Sequence, residues 1–173
     1  MKRLFISVDV EADGPCPELY SMISFGAVVV EPSLDRTFYG ECKPISDNWI
    51  SEALAISGHT REETNMFAVP AYVMGDFNNW IMSLEAIPMF VSDNNGFDWQ
   101  FINYYFHRFV GSNPFGHSST NLGSLYKGLV RDTRENFKHL RKTKHSHNPL
   151  DDAKGNAEAM LEIGKKINGF KIL

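Results

Sequence analysis

The sequence predicts an α/β fold, a mixed sheet flanked by helices. Three observations point there. Strand-like segments crowd the first quarter of the chain, a further strand then alternates with helical stretches, and the chain finishes on a well-marked helix.

The elements follow in order. Residues 4–10 alternate well enough for a strand. Met22 to Val30 is a nearly continuous apolar run, the pattern of a strand buried on both faces. Pro32-Ser33-Leu34-Asp35 turns the chain, and residues 37–43 return as a third strand, completing a meander. Helices are expected around 48–56 and 70–84, the second opening on Pro70, a good first-turn residue. Ile87 to Val91 reads as a fourth strand and 97–110 as an aromatic-rich helix. Further helices are expected over 119–130 and 132–142. Asn148 can cap the last helix, Pro149 suits its first position, Asp151 suits the positive end of its dipole, and Gly169 can end it.

At 173 residues the chain makes a single domain with a sizeable core. Hydrophobic residues at 43% and charged residues at 22% indicate a folded globular protein. No apolar run reaches the length of a membrane span, and acidic residues appear too early for an export signal, so Met1 to Ile6 reads as the start of a strand. Cys16 and Cys42 form no Cys-x-x-Cys pair. That argues against a zinc site or a disulfide framework and for a reducing, cytoplasmic setting. The net charge is −4, yet about a third of the Lys and Arg lies in residues 131–145: Arg131, Arg134, Lys138, Arg141, Lys142 and Lys144. The run fits a solvated helix face. It equally fits a phosphate-contacting surface, because it leads directly into His147.

Four carboxylates and one histidine sit in three separated pieces: Asp9-Val10-Glu11, Asp98 within Gly96 to Phe101, and His147 with Asp152 five residues on. Residues two apart on a strand share a face, so Asp9 and Glu11 project together. Asp98 opens the helix after the fourth strand, and Asp152 lies in the first turns of the last helix. Ionised carboxylates brought together repel and need cations, and Mg²⁺ or Mn²⁺ prefers such hard oxygen ligands. An imidazole beside them completes equipment for metal-assisted phosphodiester cleavage. Taken singly, Asp9 and Glu11 also fit an edge strand, Asp98 a helix-start charge and His147 a loop.

The order Asp9-x-Glu11, Asn94-Asn95-Gly96-Phe97-Asp98 and His147-x-x-x-x-Asp152 resembles the DEDDh branch of the 3′–5′ exonucleases, over about residues 4–165. That superfamily includes ribonuclease T, oligoribonuclease and polymerase proofreading domains. The Gly58-His59-Thr60 stretch is similar to the family's Gly-Ile-Thr segment. The resemblance implies a ribonuclease-H-like mixed five-stranded sheet with its first three strands antiparallel. It also implies two Mg²⁺ or Mn²⁺ ions per site, about 3.5–4 Å apart. Asp9 would bridge both, Glu11 and Asp152 would complete one shell, and Asp98 would support the second ion. His147 would be the general base, and the products nucleoside 5′-monophosphates. Ala12, Tyr20, Met22, Arg141 and Lys144 are further candidates for substrate contact.

The chain departs from the family in three places. Asp93 adds a fifth acid before Asp98, Pro149 stands where many relatives carry alanine, and the 13–17 loop has two prolines. The expected partners are single-stranded DNA or RNA 3′ ends, with a slight preference for DNA or mixed specificity. A homodimer using the apolar end at 170–173 is a further expectation. A catalytically weak module that only binds 3′ ends is the alternative. A P-loop kinase is excluded, because Gly164-Lys165-Lys166 lacks the preceding glycine. No cysteine or serine stands in a triad-like setting.

Overall fold

Burial on both faces makes the first strand, β1 (Arg3–Ala12), the axis of the sheet. In the computed structural model, which describes residues 2–166 and Ile172, β1 lies between β2 (Met22–Val29) and β4 (Ile87–Ser92). It pairs with β2 antiparallel and with β4 in parallel. β3 (Thr37–Glu41) pairs antiparallel with β2 at one edge, and β5 (Ser119–Asn121) runs parallel to β4 at the other. The order β3-β2-β1-β4-β5 is the mixed five-stranded sheet with three leading antiparallel strands that was expected.

Helices cover both faces. Alternation along β1 sends Ile6, Val8 and Val10 to one side. There they pack with Phe25 and Phe90 against α3 (Pro70–Ser83) and α4 (Asn95–Phe109), through Phe77, Phe101, Ile102 and Phe106. The other face packs Val28 and Val91 against α5 (Leu122–Val130) and α6 (Pro149–Lys166), through Leu122, Ala153, Ala157 and Met160. Two short helices, α1 (Ser51–Ile56) and α2 (Arg61–Thr64), bridge β3 to α3. Among the described residues no helix is long and apolar enough to cross a membrane.

Three expectations need correction. The stretch 119–130 is not all helix: Ser119–Asn121 forms β5, and α5 starts only at Leu122, capped by the Asn121 side chain. The helix expected over 132–142 is a run of turns with one 3₁₀ turn at Lys138–Leu140. Arg131 is left-handed at the end of α5, and the Asp132 and Asn136 side chains take the amides of Arg134 (2.9 Å) and Lys138 (3.0 Å), so the segment turns instead of winding. The third strand ends at Glu41, because the Lys43 amide donates to the Ala68 carbonyl (2.8 Å). The start of α6 is as read from the sequence, with Asn148 Oδ1 accepting from the amides of Leu150 (3.0 Å) and Asp151 (3.3 Å). The Gly169 stop and the tail at 170–173, apart from Ile172, lie outside the described residues.

One glycine sets how closely α6 approaches. Gly26 is paired with Asp9 across β1 and β2, and a Cβ there would run into the backbone of Pro149 and Leu150. The first turn of α6 therefore rests on bare backbone beside Asp9. Gly26→Ala is expected to destabilise the protein by about 1–3 kcal/mol, the usual cost of forcing atoms into a packed interface. Chemical denaturation of the two proteins measures it.

Candidate active site

Asp9 and Glu11 leave the C-terminal end of β1 on the α6 side, and Asp152 meets them from the first turn of α6. One carboxylate oxygen from each lies within 4.8 Å of the other two, which suits a shared cation. Asp98, in the first turn of α4, reaches the same place over the strand end. Its Oδ1 accepts the Val10 amide (3.2 Å), while its buried Oδ2 has no hydrogen-bond partner among the described residues. Asp98 stands outside the trio. It lines a pocket of about 240 Å³ with Asp9, Glu11 and His147.

His147 holds a left-handed backbone conformation (φ 58°), uncommon for any residue but glycine. Asp152 offsets that cost, its Oδ2 accepting the His147 amide (3.0 Å) and its Oδ1 the Ser146 amide (3.3 Å). The half-exposed ring comes within 3.6 Å of Glu11 Oε1 through Nδ1.

The electrostatics are those of crowded acids. Burial holds the Asp9 carboxyl well above the usual range, reinforced by Asp98, Asp152 and Glu11 and partly offset by Arg141. Burial, then Asp152, pushes Glu11 up to about 7, against the opposing pull of His145. Burial pushes Asp98 up to about 8, with Asp93 and Glu11 adding to it. Buried acids in this state have a donor set of hard oxygens and too little positive charge around them, which fits a divalent ion.

The substrate-contact candidates separate. Met22 is a correction: it is fully buried at the start of β2, and its amide donates to Tyr105 Oη (2.8 Å). The β-bulge at Glu11/Ala12 pairs it with Ala12 and turns it into the core. Ala12 lines an apolar cleft beside the pocket. Tyr20 covers Gly14 and lines neither space. Arg141 lines the pocket, but its guanidinium is engaged with Asp93 Oδ2 (3.2 Å) and Asn156 Oδ1 and lies over the Phe137 ring. Lys144 is exposed and does not line the pocket. Asp93, the extra acid, is held by Arg141 and by Lys138 (3.9 Å).

The sequence reading missed His145. Its Nδ1 lies 2.8 Å from Asp152 Oδ2, and its ring packs edge-on to His147 at 4.3 Å. The spacing of two residues from His147 was the available signal. The cleft residues Ile50, Ala53 and Ile56 on and before α1 were also missed, because α1 reads as an ordinary short amphipathic helix. Of the aromatic run on α4, Phe101, Tyr105 and Phe106 are core residues, and Phe97 lines both spaces.

A catalytic-end carboxylate cluster on this sheet defines a class of nuclease, and the comparisons agree. The RNase_T family model, described as an exonuclease, matches residues 6–160. Over 176 residues the chain is 40% identical to the 3′-5′ DNA exonuclease Cap18 of Escherichia coli, spanning 95% of this chain and 93% of that protein. Its fold is similar to the nuclease domain of 3′hExo, a DEDDh family member bound to rAMP (TM-score 0.78, 16% identity, 98% of this chain and 96% of that one). It is also similar in fold to E. coli Exonuclease I in complex with a dA16 oligonucleotide (TM-score 0.72, 20% identity, 96% of this chain and 41% of that one). The chain belongs to the RNase T exonuclease family and is a 3′–5′ exonuclease.

The raised carboxyls predict a pH-dependent gain from metal. Each acid binds its proton more tightly folded than unfolded, so the metal-free fold keeps this stability below the ordinary carboxylate range. It loses it as pH rises through about 7 for Glu11 and about 8 for Asp98. Chelator-treated protein should therefore melt at lower temperature at pH 8 than at pH 5. Adding Mg²⁺ or Mn²⁺ should raise Tm more at pH 8, as differential scanning fluorimetry would show.

Proposed function

We propose that this exonuclease shortens single-stranded DNA from its 3′ end, releasing nucleoside 5′-monophosphates, with two divalent ions held by Asp9, Glu11, Asp98 and Asp152 and with His147 as general base. The convergence of the Asp9, Glu11 and Asp152 oxygens within 4.8 Å, beside a half-exposed imidazole, carries this reading. Bound Mg²⁺ or Mn²⁺ would supply Lewis-acid stabilisation of charge growing on the phosphate and the leaving 3′ oxygen. His147 faces solvent on one side and the acids on the other, so its ring is placed to take a proton from an attacking water.

Substrate positioning follows from the two spaces beside the acids. The apolar cleft of about 350 Å³ shares Glu11, Ile56 and Phe97 with the catalytic pocket and is otherwise walled by Ala12, Gly14, Pro15, Ile50 and Ala53. Apolar and aromatic surface of this kind holds a base without reading its edge, which suits stepwise digestion of any sequence. The wall is stiffly mounted. Asp13 is wholly buried, binds Arg61 (2.9 Å) through its carboxylate, and accepts the Ile50 amide (2.8 Å) on its carbonyl. Lys138, which lines the pocket but not the cleft, offers positive charge to a phosphate. DNA is favoured by the 40% identity to a protein described as a DNA exonuclease. Two free cysteines suit a reducing, cytoplasmic setting.

The direct assay uses single-stranded DNA and RNA labelled at either end, with Mg²⁺ or Mn²⁺. A ladder shortening from the 3′ end is expected on DNA, stopped by chelator and by Asp9→Ala; cleavage by the variant at the wild-type rate would remove the metal assignment. His147→Ala should keep Mn²⁺ affinity and lose about 10²- to 10⁴-fold in kcat, the range for general-base catalysis. Ile56→Asp should raise KM for DNA well above its effect on kcat, measured by steady-state kinetics, because it places a charge in the base cleft.

A further inference from the structure

We propose that Glu158 is a positioning residue that holds the His147 loop in its working place; this rests on the reading of His147 as general base. Glu158 lies in the middle of α6, is 8% exposed, and lies beyond Asp152 on the helix, outside the acid cluster. Its carboxylate takes three donors from one turn of the preceding segment. Oε2 accepts the amides of Lys142 (2.8 Å) and Thr143 (2.7 Å), and Oε1 accepts Thr143 Oγ1 (3.0 Å). Asp152, six residues earlier on α6, takes the amides of Ser146 and His147. The loop is thus fastened to one rigid helix at both ends, with His145 on the span between the fastenings and His147 at the second of them.

The helix surface between the two acids is shaped for the same purpose. Gly155 lies under the loop, where a Cβ would stand 3.0 Å from the Thr143 carbonyl oxygen and 3.2 Å from Arg141 Cδ. Asn156, wholly buried, receives the Arg141 guanidinium through Oδ1. A buried acid with three backbone and hydroxyl donors also pins the end of this non-helical segment at Lys142 and Thr143. The bonds fix amides that a helix would have turned onto its own carbonyls.

The carboxylate can be replaced by an amide without losing these bonds. In Glu158→Gln the amide oxygen accepts both N–H groups, and the Nε2 group donates to the Thr143 hydroxyl, which accepts as well as it donates. Glu158→Ala removes all three. The test compares both variants, alone and combined with His147→Ala, with kcat and KM on single-stranded DNA and hydrogen exchange of the 142–147 amides. Glu158→Ala is expected to lower kcat about 10-fold or more, with KM within about two-fold and faster exchange over the loop. Glu158→Gln should behave as wild type on all three measures, and Glu158→Ala should cost nothing further once His147 is alanine.

Gly155→Ala gives a second route should Glu158→Ala fold poorly. It improves helix propensity while pressing on the loop, and should lower kcat and speed loop exchange in the same His147-dependent way. An equal loss in both His147 backgrounds, or loop exchange unchanged from wild type, overturns the proposal while leaving His147 as base. Full activity of His147→Ala by itself would overturn the base assignment and the proposal with it.

Discussion

Ionised carboxylates held close together and away from water repel, and the scaffold is arranged to withstand that repulsion. Asp9, Glu11 and Asp152 bring oxygens within 4.8 Å of one another, and Asp98 is nearly wholly buried beside them. Burial and mutual charge raise the carboxyls of Asp9, Glu11 and Asp98, so protons or cations must relieve the strain. Each acid comes from a stiff element. β1 is central in the sheet, α4 is tied to β1 through Asp98 and the Val10 amide, and α6 is seated on the bare backbone of Gly26. A looser frame would let the acids drift apart and would lose the attraction for a cation.

The surroundings of the acids are as asymmetric as a nucleotide. Ile56 and Phe97 continue from the pocket into an apolar cleft, while Lys138, Arg141, His145 and His147 line the pocket alone. A base is an apolar plate and a phosphate is an anion, so the proposed 3′-terminal nucleotide would match this division. Asp93 tempers the positive side by pairing with Arg141 and Lys138, which keeps those cations ordered.

Much of this was legible in the residues. Alternation placed Asp9 and Glu11 on one face, the apolar run marked β2 as buried, and Asn148-Pro149 marked the start of α6. What was not legible depends on distant partners. β5 is three polar residues whose strand character comes only from pairing with Phe90 to Ser92. Residues 132–142 have helix-like charge spacing, yet local bonds from Asp132 and Asn136 to nearby amides, and bonds from Arg141 and Lys142 to Asp93, Asn156 and Glu158 at its end, override it. Met22 follows the loop after the metal-strand acids, but a bulge turns it into the core. His145 is one of six histidines, and only the folded loop shows it beside Asp152.

The most direct measurement is anomalous diffraction from crystals grown with Mn²⁺. A two-ion site predicts a pair of peaks about 3.5–4 Å apart, ringed by Asp9, Glu11, Asp98 and Asp152. Peaks confined to other surfaces, or none at these four side chains under saturating Mn²⁺, would contradict it.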